Sequence, residues 1–292
     1  MKVHALDRPG RFGRIVCFGS LLLVAAGLLQ MREARAETVR VGGTGSALAV
    51  MRQLGEAYRQ TDPQFNLLIV PNLGSSGGMR ALAEGALDAA FTTREVTEAE
   101  RRAGMAARAY GRTPVVLATG RASMPGFTRQ QVADIYAARQ DKWPDGTPIR
   151  LVLRPASDID AQTLARMSPA IAAAQTEALA RPGMQVAVTD QDSANDIARL
   201  PGGLGTSSLA LILTESRPLW MIPIDGVTPS IKTLADGTYP YAKTMYIVTK
   251  GTPPEGLRKF TEFVFSARGR AILEKTGHHT GQTAVPEAKT DK

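Results

Sequence analysis

Three short apolar segments alternate with two amphipathic segments over residues 38–93, and this alternation constrains the fold more than any other feature. The amphipathic segments repeat apolar residues every three or four positions, as from Leu48 to Tyr58, which predicts helices. Repeated strand, helix, strand units favour a parallel sheet with right-handed crossovers, and so an α/β fold. The predicted strands are residues 38–43, 65–71 and 88–93, and the second of these is expected to be buried.

The N-terminal segment is different from the rest of the chain. Basic residues precede an apolar run from Ile15 to Leu29, and Ala34 and Ala36 then form an A-x-A cleavage pattern. The run is shorter than the ~20 residues that a membrane-spanning helix needs. We therefore predict that residues 1–36 are a signal peptide, cut after Ala36, and that the mature protein is periplasmic. An uncleaved membrane anchor is the alternative. Cleavage would also remove Cys17, the single cysteine.

The net charge of the chain argues against nucleic-acid binding and is compatible with binding of a small anion. The whole chain carries a net charge of +8, but residues 1–36 contain six of the 35 basic and two of the 27 acidic residues, which leaves +4. This excess is scattered and no basic block is interleaved with aromatic residues, so nucleic acid is not an expected partner. A mild positive balance would help to attract a small anion. Residues 286–292 are predicted to be a disordered tail, and we expect a monomer with no cofactor and no metal.

Two loops are rich in glycine and hydroxyl groups. Gly42–Ala47 ("GGTGSA") and Gly74–Gly78 ("GSSGG") each follow a predicted strand and begin a predicted helix. Glycine lets a ligand approach the backbone closely, and the free N–H groups of a helix start bind anions. Two such loops in succession favour a shared anion site, although ordinary caps and turns would explain either loop alone. Neither loop has the glycine and lysine pattern of a nucleotide-binding motif.

A serine hydrolase is the enzymatic alternative. Residues 74–78 also match G-x-S-x-G, the nucleophile elbow of such enzymes, which would make Ser76 the nucleophile. Asp225 and either His278 or His279 follow in the chain order that such a triad requires. However, the pattern is short, and the two histidines are predicted to lie in an exposed turn. They lack a carboxylate partner at metal-ligand spacing and make a weak metal site.

Longer segments carry a family resemblance. The runs "NLGSSGGMRALAEGALDAAFTTREVTEAE", "TRQQVADIYAARQDKWPDGTPIRLVLRP" and "IDGVTPSIKTLADGTYPYAKTMYIVTKG" resemble the periplasmic phosphate-binding proteins of ABC transporters, in order, over about residues 40–280. The resemblance implies an α/β, bilobal periplasmic binding protein of type II with a two-strand hinge. It also implies a protein that is not an enzyme, captures phosphate between its lobes and delivers it to a membrane permease. Lobe 1 would be residues 38–117 plus 241–285, and lobe 2 residues 118–240.

The family's binding site can be placed on this sequence residue by residue. Ser75 and Arg154 match the family's serine and its lobe 2 arginine, which can hold oxyanion oxygens bidentately. Ala47 aligns with the threonine of the first loop, although the neighbouring Ser46 could supply the hydroxyl. Thr93 aligns with the aspartate that accepts the proton of monohydrogen phosphate, so that acceptor is missing.

The segment after Arg154 departs most from the family pattern. It aligns Asp158 and Asp160 with two hydroxyl positions, and a one-residue gap would place Ser157 there instead. A carboxylate ~4 Å from a bound anion costs ~4 kcal/mol at an effective dielectric constant near 20. Three interpretations stay open. The aspartates could cap a helix and point away, one of them could replace the missing proton acceptor, or the fold could serve another ligand, a sensing role or a protein partner.

Overall fold

The computed structural model describes residues 38–281, and its strands and helices follow the predicted alternation. The predicted signal peptide with Cys17 and the predicted C-terminal tail lie outside these residues. The strands are β1 (Thr38–Gly43), β2 (Asn66–Val70), β3 (Ala89–Thr92), β4 (Met105–Thr119), β5 (Arg150–Leu153), β6 (Gln185–Val186), β7 (Gly203–Ser208), β8 (Trp220–Met221) and β9 (Ala242–Lys250). The helices are α1 (Gly45–Arg59), α2 (Gly74–Ala83), α3 (Glu98–Arg102), α4 (Arg129–Tyr136), α5 (Ile159–Ala165), α6 (Pro169–Ala180), α7 (Asp190–Arg199), α8 (Leu209–Thr214), α9 (Ile231–Ala235), α10 (Glu255–Val264) and α11 (Ala267–Lys275).

The strands form a mixed sheet in the order β2-β1-β3-β9-β4-β7-β5-β6, and β8 pairs with β4. β1 is parallel to β2 and β3, as the β-α-β units predict, and β5 is parallel to β6 and β7. The two parallel groups are joined through β4 and β9, which are antiparallel to each other and to their other partners. The carboxyl ends of strands from both groups therefore open toward the same region of the molecule.

Two apolar clusters stabilise the two parts of this sheet. The first core is formed by side chains from β1, α1, β3, β9, α10 and α11, and it includes Met51, Leu54 and Phe260, each 0% exposed. The second core is formed around α4, β5, α5, α6 and β7, and it includes Tyr136, Trp143 and Leu164. The first core contains no residue between 111 and 244, whereas the second core draws on residues 117–241. The predicted lobe boundaries stay a prediction, but the two cores give separate anchorage to the loops described below.

Local sequence signals explain where several helices begin. Thr97 and Thr128 each accept a hydrogen bond from the backbone N–H three residues later, and the side chain at that later position accepts one from the backbone N–H of the cap. Such capping boxes satisfy two helix-start groups at once. By contrast, α1 and α2 have no side-chain cap of this kind. Their free N–H groups are thus available to other partners.

Two predictions made from the sequence are wrong in detail. β2 is not a buried strand, because β1 is its one neighbour among the strands of residues 38–281, and Leu68 is 50% exposed. The two histidines do not share an exposed turn, since the His278 side chain is 0% exposed and packs near Tyr110. No helix within residues 38–281 is long and apolar enough to cross a membrane.

Candidate functional site

A cleft of about 350 Å³ lies where both glycine-rich loops meet segments of the second half of the chain. One wall comes from the loops that end β1, β2 and β3. The other comes from the segment after β5 and from the start of α7. The lining residues are Thr44, Gly45, Leu73, Gly74, Ser75, Ser76, Thr93, Arg94, Arg154, Pro155, Ser157, Asp158, Ile159, Gln162, Val188, Thr189 and Asp190.

The first glycine loop holds a carboxylate of the chain itself. The Asp190 Oδ2 atom accepts hydrogen bonds from the Ser46 backbone N–H at 2.9 Å, from the Ser46 hydroxyl at 2.8 Å and from the Thr44 hydroxyl at 2.9 Å. Asp190 is the first residue of α7, and its residue surface is 7% exposed. The N-terminus of α1 thus binds an anion, as the loop composition predicts, but that anion belongs to the protein.

The second glycine loop is open toward the cleft. α2 begins at Gly74, Leu73 at its N-cap makes no side-chain hydrogen bond, and Gly74, Ser75 and Ser76 line the cleft. The first backbone N–H groups of a helix have no partner within the helix. The Ser75 hydroxyl lies 3.2 Å from the Thr93 hydroxyl and accepts the Thr93 backbone N–H at 3.2 Å. This places a pair of hydroxyl groups beside an uncapped helix start.

Arg154 brings positive charge into the cleft from the end of β5. Its Nη2 atom lies 2.6 Å from Asp158 Oδ2 and 3.4 Å from Asp190 Oδ1, and the residue is 6% exposed. Asp158 also caps α5, because its Oδ1 atom accepts the backbone N–H groups of Asp160 and Ala161. Asp158 therefore both caps a helix and pairs with the arginine, so it does not simply point away from the site.

Behind Arg154 lies a second buried cation, Lys243 on β9. Its Nζ atom is 2.8 Å from Asp160 Oδ1 and 3.5 Å from Asp190 Oδ1. The contact with Asp160 is an ion pair without the angles of a hydrogen bond. Lys243 and Asp160 are 1% and 2% exposed. Two cations and three carboxylates therefore share this cluster, which carries a net charge of −1 when all are ionised.

The pKa values in the cluster reflect competition between burial and these charges. Burial would raise the pKa of Asp190, but Lys243, Arg154 and the hydrogen bonds from Ser46 outweigh it and hold the pKa far below its usual range. For Asp160 burial dominates over the attraction of Lys243, and it raises the pKa to about 7. Burial opposes the charge of Lys243, but the carboxylates of Asp160 and Asp190 raise the lysine's pKa. Asp190 is thus the firmly ionised member of the buried carboxylates.

The site residues named from the sequence fall into two groups. Those that line the cleft are Ser75, Thr93, Arg154, Ser157 and Asp158. Ser46 is 0% exposed and is turned to Asp190, so it does not line the cleft. Ala47 does not line the cleft either, because its side chain belongs to the first core and its backbone N–H bonds to the Thr44 carbonyl. Asp160 lies behind the cleft with Lys243.

Two important residues were missed by sequence reasoning. Asp190 follows Thr189 in a run typical of a helix start, where an acidic residue is common and exposed, so nothing in the pattern indicates a contact with the first loop. Lys243 lies on the same face of β9 as the buried residues Met245 and Ile247, because side chains at every second position of a strand share a face. A lysine in such an apolar series was the available signal of a buried charge. Both positions depend on contacts more than 80 residues away along the chain.

The residues proposed for a hydrolase do not assemble. Ser76 lines the cleft, but Asp225 binds the exposed Arg129, and His278 contacts Thr276 at 3.4 Å. Among the contacts recorded for residues 38–281, no hydrogen bond joins Ser76 to a histidine, and neither Asp225 nor His278 lines the cleft. Arg94 also lines the cleft, and its guanidinium forms two hydrogen bonds with Glu100, at 2.6 and 2.8 Å.

Comparison with known proteins decides the family. A family model described as a PBP (periplasmic binding protein) superfamily domain matches residues 30–268. The chain belongs to this superfamily. The phosphate-binding protein PstS 2 of Streptococcus agalactiae is 29% identical over 83 residues, which are 28% of this chain and 27% of that relative. The chain thus matches about a quarter of the length of this curated relative.

Solved structures show the same fold. A phosphate ABC transporter substrate-binding protein from Clostridium perfringens, solved with bound phosphate, is similar with a TM-score of 0.71 and 20% identity, over 84% of this chain and 100% of that one. PfluDING, a high-affinity periplasmic phosphate-binding protein, gives a TM-score of 0.65 at 13% identity, over 84% and 90% of the two chains. The predicted resemblance and the predicted bilobal α/β fold of periplasmic binding proteins are confirmed.

Proposed function

We propose that this chain is an exported solute-binding protein that captures phosphate or a related small oxyanion in the cleft. The observation that carries the proposal is the meeting of three kinds of anion donor in one space. These are the uncapped start of α2, the paired hydroxyl groups of Ser75 and Thr93, and the guanidinium of Arg154. The donors come from segments anchored in different cores, so a ligand that binds them would hold the two parts together.

The oxyanion is expected to bind chiefly at the second loop. The first loop already binds Asp190, whereas the N–H groups at the start of α2 have no side-chain cap. Hydrogen bonds to a charged ligand contribute about 1.5–3 kcal/mol each, so two or three at this helix start suffice for measurable binding. The buried Arg154 adds charge at the opposite wall.

The proposal includes a cellular context. One relative is named a phosphate-binding protein, and two similar solved structures are named as components of phosphate ABC transport. We propose that the mature protein is periplasmic after signal-peptide cleavage, acts as a monomer without catalysis, and presents its bound anion to a membrane permease of an ABC transporter.

The test is calorimetric titration of inorganic phosphate into mature protein that has been unfolded and refolded to strip bound anions. We expect saturable binding, and we expect both Arg154→Ala and Ser75→Ala to weaken it at least tenfold, because each removes a hydrogen bond to a charged ligand. Ser75→Ala is the milder change, since Arg154→Ala also leaves Asp158 and Asp190 without their guanidinium.

The matched control is Arg199→Ala, which removes an arginine that is 72% exposed at the far end of α7. This variant should bind phosphate as the unmodified protein does. Unchanged affinity in folded Ser75→Ala and Arg154→Ala would refute the site. Absence of binding to the unmodified protein up to millimolar phosphate would refute phosphate capture and direct the search to other solutes.

A further inference from the structure

Asp190 makes the contacts that an anionic ligand of the first glycine loop would make. One carboxylate oxygen receives three hydrogen bonds, all between 2.8 and 2.9 Å, from the backbone and hydroxyl of Ser46 and from the hydroxyl of Thr44. Its other oxygen faces Arg154 at 3.4 Å and Lys243 at 3.5 Å. Loop, helix start and two cations therefore surround this carboxylate as they would surround a bound oxyanion.

These contacts join distant parts of the chain. Thr44 lies just before α1 and Ser46 lies in its first turn, and the side chains of α1 pack in the first core. Asp190 begins α7 more than 140 residues later. A neighbouring contact runs the same way, since Gln191 Nε2 donates to the Gly45 carbonyl at 3.0 Å. The start of α7 is thus fastened to the start of α1 by consecutive side chains.

We infer that Asp190 is an internal ligand of the first glycine loop, a specificity-determining residue that excludes external oxyanions from this loop and confines them to the second one. A second anion at the first loop would lie against a buried carboxylate, and like charges at such a distance repel strongly. The inference rests on the proposed function, since it says which part of the same cleft an external oxyanion uses.

The main test compares Asp190→Ala with the unmodified protein. Removing the carboxylate leaves Thr44 and Ser46 without their anion, and leaves Arg154 and Lys243 with one carboxylate each, Asp158 and Asp160. We therefore expect phosphate to bind the variant at least tenfold more tightly. We also expect formate, an anion as small as the group removed, to raise the melting temperature of Asp190→Ala but not that of the unmodified protein. Asp192→Ala is the matched control, because Asp192 is an exposed aspartate in the same first turn of α7.

A second measurement needs no change to the buried carboxylate. If Asp190 fills the first loop, Ser46→Ala should leave the phosphate affinity of the otherwise unmodified protein within about twofold, whereas Ser75→Ala should lower it at least tenfold. Equal losses from Ser46→Ala and Ser75→Ala would overturn the inference. So would a folded Asp190→Ala protein that binds phosphate no more tightly and is not stabilised by formate.

The outcomes separate the inference from the proposed function. Binding by the unmodified protein with no gain in Asp190→Ala would refute the internal ligand and leave oxyanion capture intact. Binding by Asp190→Ala alone would support the internal ligand and refute phosphate capture by the native chain.

Discussion

At the scale of single residues, the chemistry of this protein is decided by side chains that pair within the chain. Asp190, Arg154 and Lys243 are each less than 10% exposed, and each lies within 3.5 Å of an opposite charge. Removing one partner of a buried ion pair leaves the other uncompensated, which typically costs 3–5 kcal/mol. Substitutions in this cluster must therefore be interpreted with a measurement of folding beside each measurement of binding.

His278 gives a pH-dependent prediction that is independent of the cleft. Burial lowers the pKa of its imidazole to about 4, and the ring is 0% exposed against Tyr110. An unfolded chain binds this proton near pH 6.5, so the folded protein loses stability as the pH falls from about 6.5 to about 4. The full shift corresponds to about 3 kcal/mol.

The measurement is urea denaturation of the unmodified protein and of His278→Asn at pH 7.5 and 4.5. Asp160 titrates in the opposite sense over part of this window, because its raised pKa favours the protonated folded state, and the difference between the two proteins removes that contribution. We expect the free energy of unfolding of His278→Asn minus that of the unmodified protein to be about 2 kcal/mol larger at pH 4.5 than at pH 7.5. The variant is thus expected to be relatively more stable at the lower pH. A difference that does not change with pH would contradict a neutral buried imidazole.

At the scale of elements, close packing of α2 on β1 positions the second loop. A Cβ atom at Gly78 would lie 2.8 Å from the Gly43 Cα atom, which is closer than van der Waals contact allows. Gly43 itself has a φ of 139°, in the region that favours glycine, and a Cβ there would lie 1.9 Å from the Phe91 carbonyl oxygen. The glycines that predict an anion loop are thus needed first for the approach of helix to strand.

Gly77 and Gly78 form a matched pair for testing this packing. Alanine normally stabilises a helix relative to glycine by about 1 kcal/mol. Gly77→Ala should follow that rule, because its Cβ would be 3.5 Å from the nearest atom. Gly78→Ala should instead destabilise the protein by about 1–3 kcal/mol, the usual cost of overpacking, and should weaken phosphate binding by displacing Ser75. Thermal unfolding and calorimetry of both variants check this, and equal stability of the two would show that α2 can shift freely.

Elements were more predictable than the site that they form. The periodicity from Leu48 to Tyr58 and the glycine loops predict α1, α2 and the parallel pairing of β1 with its neighbours, because these patterns act over a few residues. The exposure of β2 was not predictable from its apolar residues, since its position at the edge of the sheet depends on how the other strands pair. Likewise, Thr93 and Ser75 share a site through adjacent loops, whereas the capture of Ser46 by Asp190 depends on how distant segments meet.

At the scale of the whole molecule, the family resemblance correctly predicts the bilobal fold but not the arrangement of charge in the cleft. The fold is specified by many weak apolar preferences spread over two cores, so it tolerates substitutions. The charge of the cleft depends on a few side chains, and three of them are aspartates that pair with its buried cations: Asp158, Asp160 and Asp190. A charged cluster of this kind could not be assigned from spacing in the sequence.

The Asp190 contacts also predict how the ligand-free molecule behaves in solution. Since Asp190 and Gln191 fasten the start of α7 to the first loop, the unmodified mature protein should remain compact without phosphate. Its radius of gyration should be near the ~18 Å expected for a folded chain of residues 37–292. Asp190→Ala removes the charged part of that connection. Its ligand-free form should be larger in small-angle X-ray scattering and should contract when phosphate is added, because the external anion restores the bridge.

Asp192→Ala again serves as the control, and its radius of gyration should match that of the unmodified protein with and without phosphate. Equal radii for all three ligand-free proteins would mean that packing between the two parts of the sheet, including the long β4 and β9 pairing, holds them together without Asp190. In that case the carboxylate would set which anion enters the first loop but not the shape of the molecule. An Asp190→Ala protein that is larger and contracts with phosphate would instead mean that Asp190 controls two properties. These are which anion enters the first loop and whether the two parts of the molecule come together.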